Sequence, residues 1–278
     1  MQPILGLELN EQFRIPLTEQ IRVFREVGFG AFFTYWKPGM DVGELRRTAD
    51  EAGMVFQSIH APQFRVAKLW YPDGETQELL DELLVCLQEC AKYGVPIMVV
   101  HAFCGFGMHT PTKEGLKNYS IIADEAARLG VKIAIENAEG DEYLDALMEH
   151  FKNNPWVGFC WDSGHELCYN RADLLGRHGS QLIATHLNDN MGPTPEDGSI
   201  TWKDDLHLLP FDGVGDWTDI AARLNRCGFD DILMFELKIV SLPDRTENDK
   251  YAAMPLREYL EEAYRRAKRV AEIKERLK

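Results

Sequence analysis

Eight short apolar runs alternate with eight amphipathic segments along this chain, and few folds accept that pattern. The runs are Ile4–Leu9, Phe29–Trp36, Val55–Ala61, Ile97–Ala102, Lys132–Ala138, Val157–Asp162, Leu182–Asn188 and Asp231–Lys238. Segments of helical periodicity follow them: Thr18–Val27, Asp41–Ala52, Thr76–Tyr93, Thr112–Leu129, Asp141–Asn153, Arg171–His178, Trp217–Cys227 and Leu256–Leu277. Gly28, Gly53, Gly94, Gly130 and Gly228 stand at helix-to-strand joints, where a left-handed residue commonly ends a helix. Strands separated by helices imply a parallel sheet, because a parallel neighbour is reached only by a crossover. Eight such units in 278 residues predict a single α/β domain over residues 1–278, a closed (β/α)8 barrel. A doubly wound open sheet is the alternative, but GLELNEQ, Gly6 to Gln12, is not the glycine-rich first turn that usually opens one. No linker, low-complexity run or charge block divides the chain, and the long 190–216 stretch reads as an elaborated βα loop.

Alternate residues of a barrel strand point inward, so the last inward residue of each run sits at the C-terminal rim, where barrel active sites lie. Stepping by two gives Gly6 then Glu8, Ser58 then His60, Val99 then His101, Ala134 then Glu136, Cys160 then Asp162, Ala184 then His186, and Met234 then Glu236. Seven of the eight runs therefore aim an acid or an imidazole at one mouth. Groups of this kind are costly to bury unless something pairs with them, and their convergence points to a metal site. Glu136 and Glu236 each end an apolar run with no basic neighbour in sequence, which suits a metal ligand that also acts as a base. Asp162 and His186 complete a set of three carboxylates and one imidazole. Such donors favour Mn2+ first, with Zn2+, Mg2+ or Co2+ as alternatives.

A second tier consists of His60, His101, His165, Asp205 and His207, as metal ligands or substrate-binding groups. Asp205 and His207 stand two apart and would share one face of an extended segment. His165 follows Asp162 by three across a Ser-Gly turn, and His60 and His101 have the blander option of satisfying each other. Cys86 and Cys90 read as helix packing, while Trp36, Trp70 and Trp202 lie where they could wall a pocket.

The order His60, His101, Glu136, Asp162-x-x-His165, His186, Asp205-x-His207, Glu236 resembles the xylose-isomerase-like TIM barrel superfamily, across nearly the whole chain. That superfamily includes sugar and sugar-phosphate isomerases and epimerases, keto-acid isomerases, dehydratases and apurinic-site endonucleases. "HLLPFDGVGDW", His207 to Trp217, is similar to its H-x-x-P-G-x-G segment, with Phe211-Asp212-Gly213 in place of the first glycine. Resemblance to the ketose epimerases implies one metal on Glu136, Asp162, His186 and Glu236, with the two glutamates shuttling the proton and His165 holding the sugar. Their loop also carries an arginine six residues after the metal histidine, where this chain has Gly192. Resemblance to the endonucleases implies that all nine positions ligate a trinuclear zinc cluster.

Charge separates these branches. A DNA-gripping rim needs Lys and Arg to displace counterions. The formal net charge is −15, Phe103–Thr112 has neither residue, and Asn190–Asp204 has Lys203 against three acids. The expected function is thus a divalent-metal-dependent isomerase or epimerase of a keto sugar or polyol-derived substrate, acting through a metal-stabilised enediolate and carboxylate proton transfer. A dehydratase or lyase of a sugar acid or keto-cyclitol starts from the same carbanion and is the alternative; a nuclease or a non-catalytic sugar-binding barrel ranks below it. Lys203, Lys238 and Arg245 do not cluster, which favours an unphosphorylated sugar. The absence of an 18-residue apolar run and of a basic-flanked leader, with six cysteines lacking zinc-finger spacing, predicts a cytoplasmic chain with reduced thiols; a homo-oligomer stays open.

Overall fold

The computed structural model describes residues 3–107, 109–170, 172–194 and 199–278. Its strands are β1 (Leu5–Leu9), β2 (Ala31–Tyr35), β3 (Val55–His60), β4 (Ile97–His101), β5 (Lys132–Glu136), β6 (Val157–Asp162), β7 (Leu182–His186) and β8 (Leu233–Phe235). They form one parallel sheet in the order β7-β6-β5-β4-β3-β2-β1-β8. The remaining seam is bridged where the Leu187 amide donates to the Met234 carbonyl (2.8 Å) and the Glu236 amide to the Leu187 carbonyl (3.2 Å). The result is the expected TIM barrel.

Each strand is followed by a helix: α1 (Leu17–Val27), α2 (Val42–Ala52), α3 (Thr76–Lys92), α4 (Lys113–Leu129), α5 (Asp141–His150), α6 (Leu174–His178), α7 (Trp217–Arg226) and α8 (Leu256–Arg276). The five joint glycines all adopt positive φ. The sixth helix is shorter than the sequence pattern predicts. It starts at Leu174 after a π turn over Glu166–Asn170, and Arg171 lies outside the described residues. Short helical turns at Ala67–Trp70, Ser163–His165 and Asp249–Ala252 carry too little periodicity to be read in advance.

Two apolar layers result from the alternation along each strand. Outward residues such as Leu7, Phe32, Ile59, Val100, Ile135 and Phe159 pack under the helices. Inward residues fill the barrel: Val99, Ala134, Cys160 and Ala184 on one side, Phe33, Ile232 and Met234 on the other. Gly6 belongs to this inner layer because a Cβ there would stand 2.6 Å from the Met234 thioether. The barrel is therefore plugged, and a cavity lies above the plug, at the C-terminal rim. Among the described residues no helix is long and apolar enough to cross a membrane.

Candidate metal centre

Parallel register sets the rim groups at comparable heights. His101 is the β-partner of Glu136, and Asp162 is that of His186. Donor atoms of Glu136, Asp162, His186 and Glu236 lie within 4.8 Å of one another, and all four residues are buried. His186 Nδ1 stands 2.9 Å from Glu136 Oε1 and 3.0 Å from Glu236 Oε2, an imidazole between two carboxylates. Asp162 accepts from the His165 amide (2.7 Å) and from Asn188 Nδ2 (3.2 and 3.0 Å), which fixes its carboxylate at the strand end.

The second tier encloses this set rather than standing apart. His60 Nε2 lies 3.0 Å and His101 Nε2 3.5 Å from Glu136 Oε2. The two histidines thus address the glutamate, not each other, and their rings meet edge-on at 5.0 Å. Asp205 Oδ2 lies 2.8 Å from His207 Nε2 and 3.3 Å from His165 Nε2. The Asp205–His207 segment is not simply extended: His207 has φ of +47°, and the pair closes on itself as well as facing the cavity.

The donor set fits a cation. His60 Nδ1 is 2.6 Å from the Ala61 carbonyl, an oxygen that only accepts, so that nitrogen donates. Its other nitrogen, Nε2, faces the Glu136 carboxylate at 3.0 Å. His165 repeats the arrangement, with Nδ1 2.8 Å from the Asn137 carbonyl and Nε2 facing Asp205. A cation beside each pair, or a proton on Nε2, balances the carboxylate; although burial opposes its charge, Asp162 and Asp205 hold His165 well above its ordinary value. His101 Nδ1 is buried with no hydrogen-bond partner among the described residues. Four ligand groupings satisfy the same geometry among the described residues: the four-residue set, His60/His101/Glu136, Glu136/Cys160/His186, and His165/Asp205/His207.

Without an ion, protons do the balancing. Burial would raise Glu136 and Glu236, but the surrounding imidazoles hold both well below the usual carboxylate range. Burial raises Asp162 to about 7, despite His165 nearby. His207 is pushed up to about 9; burial opposes its charge, and Asp205 and Glu236 outweigh it. His186 is held well above its ordinary value against burial, by Cys160 and Glu136. Because burial raises the Cys160 thiol itself to about 12, Glu136 carries the charge that matters. His101 is driven by burial down to about 3, against the pull of Glu136, whose carboxylate it shares with His60 and His186.

Several site groups escaped sequence reading. Tyr35 ends β2, the strand without an acid or histidine at its rim, and its hydroxyl donates to Glu236 Oε1 (2.6 Å). Glu8 was visible only as one of the rim acids; burial raises it to about 7, with Lys238 Nζ 3.6 Å away. Lys203 pairs with Asp244 (2.7 Å) and Arg245 with Glu247 (2.7 Å). Trp36 and Trp202 line the cavity, whereas Trp70 does not: it is wholly buried, with Nε1 donating to the Ala102 carbonyl (2.7 Å).

The long loop after β7 is organised by buried Asp189, a residue without motif signal. It accepts from the Phe211 and Gly215 amides (2.9 Å each) and from Trp217 Nε1 (2.8 Å). Phe211, which opens the Phe211-Asp212-Gly213 run standing in for the motif's first glycine, takes φ of +74°, and its ring is covered by the Arg269 guanidinium at 4.1 Å. A Cβ on Gly213 would stand 2.3 Å from the Asn190 carbonyl oxygen, so that glycine is sterically required. Residues 195–198 of this loop lie outside the described residues.

Comparison with known proteins gives the fold a lineage. The protein y4fM of Sinorhizobium fredii (strain NBRC 101917 / NGR234) is 27% identical over 264 residues, covering 79% of this chain and 80% of that protein. Among solved structures, IolI with a bound zinc atom superposes with a TM-score of 0.74 at 17% identity, over 100% of this chain and 99% of that one. D-psicose 3-epimerase in the presence of D-fructose gives 0.70 at 14% identity, over 98% and 99%. A xylose isomerase-like TIM barrel/4-hydroxyphenylpyruvate dioxygenase fusion protein gives 0.73 at 14% identity; the match covers 95% of this chain but 42% of the fusion. A family model described as xylose isomerase-like TIM barrel matches residues 21–269, and the chain belongs to that family.

Proposed function

We propose that this protein is a divalent-metal-dependent sugar isomerase or epimerase, with Mn2+ the first expectation and Zn2+, Mg2+ or Co2+ as alternatives. The observation that carries the reading is the buried set Glu136, Asp162, His186 and Glu236, which would hold the ion. Structural likeness to epimerases supports the reaction class at the level of fold. When bound, a divalent ion supplies Lewis-acid stabilisation of charge developing on the substrate's carbonyl and neighbouring hydroxyl oxygens.

The two glutamates are not equivalent. Glu236 lines the cavity, while Glu136 lies beneath it, with His60 and His186 within 3.0 Å of its two oxygens. Glu236 is thus the first candidate to take the proton from the carbon beside a carbonyl, and Tyr35 holds its Oε1 in place. Glu136 fixes the imidazoles, and an opposite transfer by it requires the substrate to reach its carboxylate between His60 and His186. His165, with Nδ1 anchored on the Asn137 carbonyl, orients its other nitrogen towards the cavity as a substrate-binding group. A lyase would begin with the same proton abstraction. An apurinic-site nuclease finds no support in the rim charges, whose described cations are paired with acids.

Elemental analysis of the purified chain, washed with a weak chelator, is the first test. About one ion per chain fits the four-residue set, whereas nearly three zinc ions would recruit the second tier and return the nuclease and zinc-lyase readings to the front. Glu136→Gln and Glu236→Gln are each expected to abolish turnover while metal stays bound; full activity in both removes the two-carboxylate mechanism.

A further inference from the structure

The cavity above the candidate centre has two different ends. It measures about 860 Å³, towards the upper part of the roughly 300–1,000 Å³ typical of small-molecule pockets. Its inner end is polar, where His101, His165, His207 and Glu236 line it, all buried. Its outer end is aromatic. Phe64 from the loop after β3, Phe106 from the loop after β4 and Trp202 from the loop after β7 reach the same cavity, and they are 83%, 46% and 53% exposed.

Two of the polar side chains that line the cavity, Lys37 and Asn10, already have partners. Lys37 Nζ pairs with Glu11. The Asn10 side chain accepts from the Gln12 amide (2.9 Å) and donates to the Leu237 carbonyl (3.2 Å). Sugar hydroxyls placed against the three ring faces would lose water without gaining a hydrogen-bond partner there, which is unfavourable. An aromatic group placed there would instead cover exposed rings, gaining apolar burial and ring stacking. Three aromatics from separate loops around one opening, continuous with a metal-type centre, fit a ligand that enters the barrel.

We propose that the substrate is amphiphilic: a polyhydroxylated head that reaches the metal centre, joined covalently to an aromatic tail held by Phe64, Phe106 and Trp202. Aryl glycosides and aryl-substituted hydroxyketones are the chemical class. The head rests on the metal-site reading above; the tail rests on the rim alone.

Calorimetric titration of the metal-loaded protein with methyl β-D-glucoside and phenyl β-D-glucoside separates the two. The phenyl compound is expected to bind about tenfold tighter or better, as burial of one ring implies. Trp202→Ala and Phe106→Ala, both exposed positions, are expected to bring the ratio towards one without changing metal content or melting temperature. Equal affinity, no detectable binding of either glucoside, or a phenyl preference that survives both substitutions overturns the proposal. So does a dimer, seen by sedimentation, that Trp202→Ala dissociates, since the rim would then face a second copy of this chain. Binding is read without turnover, so failure of the metal-site reading shows separately: tail preference would persist while metal removal left the affinity of both glucosides unchanged.

Discussion

A carboxylate that is to move a proton has to be held still, and Tyr35 does this for Glu236 at the scale of a single hydroxyl. Its hydrogen bond of 2.6 Å is made from the neighbouring side of the barrel, on a strand that contributes no candidate ligand. Tyr35→Phe keeps the ring, which stacks on His60 at 4.3 Å, and removes only the donor. Loss of such an outer partner typically costs roughly 10–100-fold in activity or metal affinity. Turnover should fall within that range at unchanged fold, measured by steady-state kinetics and circular dichroism; unchanged kcat would mean that Glu236 needs no such positioning. Sequence could not have found Tyr35, because a tyrosine ending an apolar run has an ordinary explanation in packing. Glu136, Asp162, His186 and Glu236 were legible for the opposite reason: a charged group ending a buried strand has no inexpensive explanation.

At the scale of elements, the loop after β7 shows how a buried acid without a motif can organise a motif. Asp189 ties the amides of Phe211 and Gly215 and the Trp217 indole to the strand end, and this sets the stretch that carries Asp205 and His207 against the centre. Each hydrogen bond to a charged group contributes about 1.5–3 kcal/mol. Asp189→Ala is expected to destabilise the protein by at least ~3 kcal/mol, seen in chemical denaturation, and to weaken metal uptake. A loss below ~1 kcal/mol would show that the loop holds its shape without this hub. The strands and main helices were legible because their periodicity is local. The π turn at Glu166–Asn170 and the left-handed His207 were not, since both are imposed by what they pack against.

For the whole molecule, the protonation of the centre fixes how stability depends on pH. Consider protein stripped of metal. His207, raised to about 9 from an ordinary 6.5, contributes stability that is fully present below 6.5 and lost as pH rises through 9. Glu8 and Asp162, both raised to about 7, act in the same sense, with their contribution lost as pH rises through 7. Glu136 and Glu236, held well below 4.5, contribute above that value and lose their contribution in acid. The metal-free protein should therefore melt at progressively lower temperature from about pH 6 to 9, and His207→Gln should flatten the upper part of that slope. Added divalent metal should reverse the decline, because its charge replaces the protons that leave; a melting temperature independent of pH and metal would remove the centre's electrostatic account. The sequence by itself determined the eightfold repeat, the barrel and the rim to which its acids and imidazoles belong, since these follow from periodicity and from the cost of burying charge. Only the tertiary structure decided which rim groups touch, that Glu236 faces the cavity while Glu136 lies beneath it, and that Phe64, Phe106 and Trp202 meet around one opening. Those relations depend on distances between loops far apart in the chain, and no local pattern of residues encodes them.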